Sequence, residues 1–428
     1  MQMRKTRHPR PPASTRVNTS PALHHRAIRI SVRNTCSITP LITLTRFPRT
    51  PGGHPFGTPL LRPAAGTPSV WNMTQPTESP DAGPPQGFLA EVKDAVTTRA
   101  ALLVLGVLVL QLAFVTSYIG AFHHPKPSEI PIAVAAPLAP TAEQAAQRLG
   151  SLPGKPLDPR VAQDEAAALD QVRNRDVDGA LIVDPAGRTD RLLVASGAGA
   201  SLSQALEEVV GLAERAQGRT VQVTDVAPAA QGDSRGLSAF YLVIGWCVGG
   251  YLCAAILAIS SGARPANAHR AVIRLGALLV YALAAGLLGA VIAGPVLDAL
   301  PGSIMGLWGL GTLVVFAVGA ITLAFQGLAG VIGIGLAILL VVVLGNPSAG
   351  GAYPYPLLPP FWSTIGPALP PGAGTYAARS ITYFSGNGAG GPMLVLAAWA
   401  VVGAAVTVAC AVLRRGRAGA AAVNDLPD

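Results

Sequence analysis

The sequence predicts a polytopic α-helical membrane protein with six transmembrane helices and a small α/β extracytoplasmic domain between helices one and two. The main observation is the stretch from Leu275 to Leu413, in which Asp298 and Arg379 are the only formal charges. Water cannot solvate so long an uncharged apolar chain, whereas a lipid bilayer can. Over the whole chain, 50% of the residues are hydrophobic and 12% are charged, against about 25% charged residues in soluble domains.

Residues 1–72 form a basic leader whose composition differs from that of the rest of the chain. They contain Lys and Arg but no Asp or Glu, so the net charge of +9 comes from this segment and does not predict a nucleic-acid partner. A disordered basic arm, a transit peptide and translated upstream DNA remain open as interpretations. We favour the third, with the native start at Met73, because acidic residues appear only after it and the composition then becomes that of a bacterial membrane protein.

Residues 73–99 are predicted to be a cytoplasmic linker that ends in an interfacial helix. Phe88, Leu89 and Val92 recur at helical spacing between charged residues, which is typical of an amphipathic helix on the membrane surface. The alternative is that these residues form the first turns of the next helix.

Residues 100–122 are uncharged and, at about 1.5 Å per residue, are long enough to cross a hydrocarbon core of about 30 Å. They are the first predicted span.

Residues 123–236 regain charges, and their apolar runs shorten to strand length, which predicts one extracytoplasmic α/β domain. Ser201 and Gln204 match a capping box that would open the last helix of the domain. The predicted strands are Ile130–Ala135, Ala180–Val183, Leu192–Ala195 and Thr220–Val226, and the predicted helices are Thr141–Leu149, Asp164–Arg173 and Ser201–Gln217.

The second half of the chain contains the remaining spans. These are 237–263, 275–297, 303–325, 328–345 and 391–413, with a cytoplasmic loop at 264–274, an extracytoplasmic loop at 346–390 and a cytoplasmic tail at 414–428. A break at Gln326–Gly327 separates two of the spans. The proline density of 346–390 rules out a regular spanning helix there, and its aromatic residues favour the membrane interface. We therefore expect a structured, partly re-entrant external cap.

Basic residues set the predicted orientation. They flank the second, third and sixth spans at Arg264, Arg270, Arg274, Arg414, Arg415 and Arg417. The positive-inside rule then places both termini in the cytoplasm and residues 123–236 outside the plasma membrane. No Asp, Glu, Lys, Arg or His lies well inside a predicted span, which disfavours a proton- or sodium-coupled carrier.

The sequence predicts no enzyme, no cofactor and no metal site. The first half of a calcium-binding loop is matched by Asn174, Asp176, Asp178 and Gly179. Pro185, however, stands where such a loop needs a bidentate Glu. Gly197 and Gly199 precede a helix, but Leu202 replaces the third glycine of a dinucleotide-binding turn.

Three stretches resemble a known family. Ser128–Ala136 resembles the first strand after helix one, and Gly232, Asp233 and Gly236 resemble a Gly-Asp-x-x-Gly juncture before span two. Phe361, Pro370 and Arg379 fall in a Phe…Leu-Pro…Tyr…Arg run before the final helix. With this order of elements, the chain resembles the YhgE/Pip group of membrane proteins and, more broadly, the permease subunits of type-2 ABC (ABC-2) exporters.

The resemblance implies an export permease that works as a homodimer with a separate ATP-binding subunit. Residues 264–274, with Arg264, Arg270 and Arg274, and the 88–99 helix would contact that subunit. The alternative is a non-transporting envelope accessory, scaffold or receptor protein whose external domain binds a partner. Fold analogy alone does not decide between the two functions.

Overall fold

The computed structural model describes residues 97–262, 265 and 267–424, and for Arg99 and residues 415–424 it describes the backbone only. The predicted leader 1–72, the amphipathic segment before Thr97, and Arg264 lie outside the described residues. In chain order the elements are α1 (Thr98–Phe122), β1 (Ile130–Ala135), α2 (Ala139–Gly150), β2 (Leu157–Val161), α3 (Glu165–Asn174), β3 (Gly179–Ile182), β4 (Thr189–Val194), α4 (Ala200–Arg215), β5 (Thr220–Asp225), α5 (Ser238–Ser261), α6 (Ala268–Val291), α7 (Ile304–Ala329), α8 (Ile332–Ile338), α9 (Pro360–Ile365), α10 (Pro370–Tyr383) and α11 (Gly390–Asn424).

Within the described residues, five helices are long and apolar enough to cross a membrane, namely α1, α5, α6, α7 and α11. This is the architecture of a multi-pass helical membrane protein. Helix α7 lies at the centre and packs against α5, α6 and α11. Helix α1 is peripheral, and its apolar side chains, among them Val104 and Val107, are exposed on nearly every side. Lipid is the solvent that suits such a surface.

Close backbone approach holds the helix bundle together. A Cβ atom added to Gly286 of α6 would lie 2.6 Å from the Thr312 nitrogen of α7. At the same crossing, the Trp246 indole of α5 donates to the Ala285 carbonyl over 3.1 Å. Helices in lipid are held together chiefly by van der Waals contact, and small residues at a crossing let the two backbones come close enough to make that contact.

The α/β region contains a five-stranded sheet in the order β2-β1-β3-β4-β5. Strand β1 pairs in parallel with β2 and β3, β3 pairs antiparallel with β4, and β4 pairs in parallel with β5. Helices α2 and α4 cover one face with Leu149 and Leu206. Helix α3 covers the other with Ala168 and Val172. The sheet therefore has apolar cores on both sides, as an α/β domain requires.

In this region the structure differs from the sequence analysis at two places. Strand β2 was not predicted, because Pro159 lies in its middle; the strand is at the edge of the sheet, where a missing N–H is tolerated. The capping box at Ser201 does not form. Helix α4 is preceded by Gly199 without a side-chain cap, and the Ser201 hydroxyl donates instead to the Ala352 carbonyl over 2.8 Å.

Residues 346–390, here called the cap segment, contain two helices that the sequence analysis did not predict. Helix α10 begins with Pro370 and Pro371 and is buried along nearly its whole length. It packs against α5, α7 and α11. Prolines are accepted in the first turn of a helix, because the N–H groups there have no intrahelical partner. The proline density therefore excludes a long helix here but not a short one.

Several predicted boundaries differ from those observed. Helix α7 continues through the predicted break at Gln326–Gly327 as far as Ala329, and the side-chain amide of Gln326 donates to the Ala254 carbonyl of α5 over 3.3 Å. The chain then turns at Gly330, which has φ +65°. The next helix begins at Ile332 and continues as a π-helix over Leu339–Gly345. It is shorter than the five spans, so a sixth span stays a prediction.

The predicted cytoplasmic loop and tail are partly helical. Helix α6 already begins at Ala268, so Arg270 and Arg274 belong to a helix and not to the loop 264–274. Helix α11 continues beyond residue 413 to Asn424.

We expect the Gly286→Ala variant to be less stable than wild type, by about 1–3 kcal/mol, because its methyl group would overlap the backbone of α7. Gly276→Ala in the same helix is the matched control, since a Cβ there meets nothing within 4 Å. Thermal unfolding of the purified protein in detergent measures the difference. Equal unfolding temperatures for the two variants would contradict the close crossing at Gly286.

Candidate functional site

The α/β domain is joined to the cap segment through Arg379 of α10. This residue is 3% exposed. Its Nη1 donates to the Gly350 carbonyl over 2.6 Å, and its Nη2 donates to the carbonyls of Gly236 and Gly351 over 2.9 and 2.8 Å. Gly236 has φ +64°, in the left-handed region that favours glycine. One guanidinium thus ties the start of α5 to the cap segment.

A second link runs through Asp233, which is 4% exposed. Its Oδ1 accepts from the Ser238 N–H at the start of α5 over 2.8 Å, and its Oδ2 accepts from the Tyr383 hydroxyl at the end of α10 over 2.7 Å. Burial and the hydrogen bond to Asp233 raise the pKa of Tyr383. The phenol therefore remains a proton donor to the carboxylate.

A third link comes from Arg175 at the C-terminal end of α3. Its guanidinium lies 3.5 Å from the centroid of the Tyr376 ring. It donates to the Tyr376 carbonyl and the Ser380 hydroxyl over 2.9 and 2.7 Å. Arg175 has φ +64°, which costs a non-glycine residue on the order of 1 kcal/mol. Cation–π and hydrogen-bond contacts of this kind are large enough to offset that cost.

A cavity of about 210 Å³ lies between the domain and the cap segment. The polar side chains on its wall are those of Arg175, Asp176, Asp178, Tyr355, Tyr376 and Arg379. Two of their atoms, Tyr355 Oη and Arg379 Nε, are buried without a hydrogen-bond partner among the described residues. A buried polar group in this state costs about 1–3 kcal/mol.

Burial is the main cause of the pKa shifts of the ionisable groups around the cavity. Burial, with the positive charge of Arg175, lowers the pKa of Arg379 to about 10, so the guanidinium stays protonated at neutral pH. Burial raises the pKa of Asp178 to about 6, against the opposing effect of Arg175. Burial also raises the pKa of Tyr355, which keeps its hydroxyl protonated. The cavity therefore offers donors to a ligand that has acceptor atoms.

The structure brings together some of the sequence-predicted site residues. Gly236 and Asp233 contact Arg379 and Tyr383, as described above. Gly232 is close by, and a Cβ there would lie 2.6 Å from the Asp298 carbonyl oxygen. Two of the three stretches that carry the family resemblance thus meet at this junction.

Other predicted site residues lie elsewhere. Phe361 is 54% exposed on α9, and Pro370 is the buried first residue of α10. Arg270 is exposed near the start of α6. Arg274 is buried, and its Nη2 donates to the Ser261 and Gly262 carbonyls over 2.8 and 2.7 Å, at the C-terminal end of α5.

The sequence analysis missed Arg175 and Tyr355 as site residues, whereas Tyr376 is the tyrosine of the Phe…Leu-Pro…Tyr…Arg run. Arg175 lies inside the stretch that matches the first half of a calcium-binding loop, in which the neighbouring carboxylates are the residues that the motif requires. The signal that was available is its position directly after an α-helix and before a buried strand, which places a long basic side chain at one end of the sheet.

Comparison of the chain with protein-family models, with curated proteins and with solved structures finds no match. The resemblance to the YhgE/Pip and ABC-2 proteins stays a prediction from short motifs.

We expect the Asp178→Asn variant to be more stable than wild type at pH 7.5 and to lose that advantage as the pH falls towards 4. The pKa of Asp178 is raised from 3.8 to about 6, so the folded chain holds this proton more tightly than the unfolded chain. Stability from Asp178 is therefore present at low pH and is lost as the pH rises through about 6.

The pKa difference limits the stability gain of Asp178→Asn at pH 7.5 to at most about 3 kcal/mol. Partial exposure of the carboxylate to solvent makes the gain smaller. Thermal unfolding between pH 4 and 8 measures the effect. The exposed neighbour provides a matched variant, Asp176→Asn. If Asp178→Asn followed the same pH profile as wild type, the carboxylate would not be destabilised by burial.

Proposed function

We propose that the chain is the permease-like membrane component of an export system of the ABC-2 or YhgE/Pip type, powered by a separate ATPase. The observation that carries the proposal is the contact between two of the resembling stretches. Arg379 binds the Gly236 carbonyl, and the neighbouring Tyr383 binds Asp233. Residues that matched separate parts of a pattern are thus parts of one junction, which a chance match does not require.

The path of the chain after α7 supports a sixth span over 328–345. At the end of α7, the Gly327 carbonyl accepts from Arg414 over 2.7 Å. The following helix ends at Gly345, where the Ser117 hydroxyl near the end of α1 donates to the Val343 carbonyl over 2.5 Å. Residues 332–345 therefore connect opposite ends of the bundle. At about 1.5 Å per residue they cover about 21 Å, and a bilayer accommodates such a short helix by local thinning.

Arginines at one end of the bundle support the predicted orientation. Arg274 donates to the last carbonyls of α5, and Arg414 donates to a carbonyl in the last turn of α7. Positive charge at a helix C-terminus is favoured by the helix dipole, and basic residues favour the cytoplasmic face. We assign this end to the cytoplasmic side of the plasma membrane, with both termini inside and the α/β domain outside.

The surface for the ATP-binding subunit is assigned to the cytoplasmic start of α6. Arg270 is exposed there, whereas Arg274 is buried and donates to the Ser261 carbonyl at the end of α5. The exposed apolar faces of α1 and α6, with Val107 and Val280, suit lipid or the second copy of a homodimer.

We expect affinity purification from native membranes in mild detergent to recover a stoichiometric ATP-binding subunit, identified by mass spectrometry. The Arg270→Glu variant should lose it, because the substitution reverses the charge of the proposed contact. Arg235→Glu is the matched control, since this arginine is also exposed beside a span but precedes α5 at the opposite end of the bundle. Recovery of no nucleotide-binding protein by wild type would remove the support for the exporter function.

We expect a membrane-impermeant maleimide to label Gln204→Cys on intact cells, and to label His269→Cys only after the cells are opened. Both positions are exposed, one on α4 and one in the first turn of α6. The unsubstituted protein supplies the background, since its described cysteines are buried or half-buried in helices. The reverse labelling pattern would overturn the orientation.

A second candidate function is an envelope accessory, scaffold or receptor protein. The observation that favours it is an open groove of about 900 Å³, lined by Arg148, Arg188 and Arg219 among others. The groove lies beyond the C-terminal end of β3, at the opposite end of the strands from the junction, and is open to an external partner. Envelope proteins recovered by wild type and lost from Arg188→Glu, with Arg270→Glu unaffected, would favour this function over export.

A further inference from the structure

We propose that the cavity between the α/β domain and the cap segment binds a small ligand that carries an oxyanion, either a carboxylate or a phosphate group. The ligand would sit between the side chains of Arg379, Tyr355 and Arg175. This site is independent of the proposed ATP-binding partner, and it concerns what the junction itself recognises.

The first argument is the pair of unused donors. Arg379 Nε and Tyr355 Oη are buried and have no hydrogen-bond partner among the described residues, and both residues line the cavity. Buried donors are normally paired with protein or ligand atoms. Acceptor oxygens that a ligand brings against these two atoms would satisfy them.

The second argument is the lack of an ionic partner for two guanidiniums, that of the buried Arg379 and that of the half-buried Arg175. Within the described residues, no carboxylate lies within 4.0 Å of Arg175 or Arg379. The contacts of Arg379 are carbonyl oxygens, and those of Arg175 are a carbonyl, a hydroxyl and aromatic rings. Carboxylates and phosphates are the groups that guanidinium pairs with most strongly.

The third argument concerns the acids on the cavity wall. Asp178 is half-buried and Asp176 is exposed, whereas Arg379 is buried. The buried part of the cavity wall therefore carries Arg379, whereas its more exposed part carries the two acids and the half-buried Arg175. A ligand with one anionic group directed towards Arg379, and a neutral or cationic remainder towards the acids, matches this arrangement. A ligand with several anionic groups does not.

The volume limits the size of the ligand. About 210 Å³ is less than the roughly 300–1,000 Å³ of sites for drug-sized molecules. The cavity suits a molecule of amino-acid size, a free phosphate, or the phosphate-bearing headgroup of a lipid. These sources share the oxyanion and are distinguished by experiment.

The test uses the full chain purified in mild detergent and follows its thermal unfolding with added sodium phosphate, sodium acetate or glycine. Sodium chloride at equal ionic strength is the reference. We expect saturable stabilisation by at least one oxyanion probe. The Tyr355→Phe variant removes only a hydroxyl and should bind the same probe about tenfold more weakly, as expected for one lost hydrogen bond to a charged group. Arg175→Gln should weaken binding further.

Tyr353→Phe is the matched control, because this tyrosine belongs to the same segment but contacts Phe122 of α1 and should bind like wild type. Native mass spectrometry separates the sources. A phospholipid adduct that Tyr355→Phe loses identifies a lipid headgroup, and stabilisation by an added probe without such an adduct identifies a free anion. A wild-type protein that shows neither, or a Tyr355→Phe variant that binds as tightly as wild type, would overturn the proposal. Both readouts are independent of any ATPase.

Discussion

The connection between the two halves of this protein depends on burying one positive charge. Arg379 is the only basic residue between Leu275 and Leu413, and burying a guanidinium is costly unless hydrogen bonds compensate for the lost water. Carbonyls before α5 and in the loop before α9 accept from its two Nη atoms, so both backbone segments are held at the distance that one planar side chain dictates. The positions of α10, of the start of α5 and of the adjoining edge of the α/β domain follow from this arrangement.

The membrane half and the junction are held by different physical interactions. In the helix bundle, α7 contacts its neighbours through small residues such as Gly286 and Gly311, and the gain comes from close packing rather than from the exclusion of water. At the junction, charged and aromatic groups such as Arg175 and Asp233 form hydrogen bonds that depend on geometry. The helix crossings therefore depend on residue size, since even a Cβ at Gly286 or Gly311 would overlap its neighbours, whereas the junction depends on chemical type.

The length of the apolar runs and the distribution of charged residues were sufficient to predict the five long apolar helices and the existence of an α/β region. Both of these features follow from local composition. Strand β1 was predicted with its observed ends, since Ile130–Ala135 is a short apolar run that follows Glu129 and ends shortly before Pro137. Strand β2 was missed because the tolerance of an edge strand for Pro159 depends on its neighbours in the sheet.

The site was harder to predict than the fold. Arg379 was singled out from a motif, but its carbonyl partners are far away in sequence and cannot be inferred from it. Ser201 was assigned to a local cap, although its partner, Ala352, lies in the cap segment. Arg175 and Tyr355 line the cavity only because the domain packs against the cap segment. The helix and strand periodicity of the sequence does not indicate such a long-range contact.

The long sequence separation across the junction has a consequence for biogenesis. The domain is translated before α5, whereas its docking partners on the cap segment emerge only shortly before the last helix, as the pairs Arg175–Ser380 and Ser128–Pro356 illustrate. Domains generally fold as units while synthesis proceeds. The α/β domain must therefore stay folded by itself until the cap segment has been synthesised. Most side chains of its two apolar cores belong to the domain itself, and the cap segment adds Leu357 to one core and Phe384 to the other.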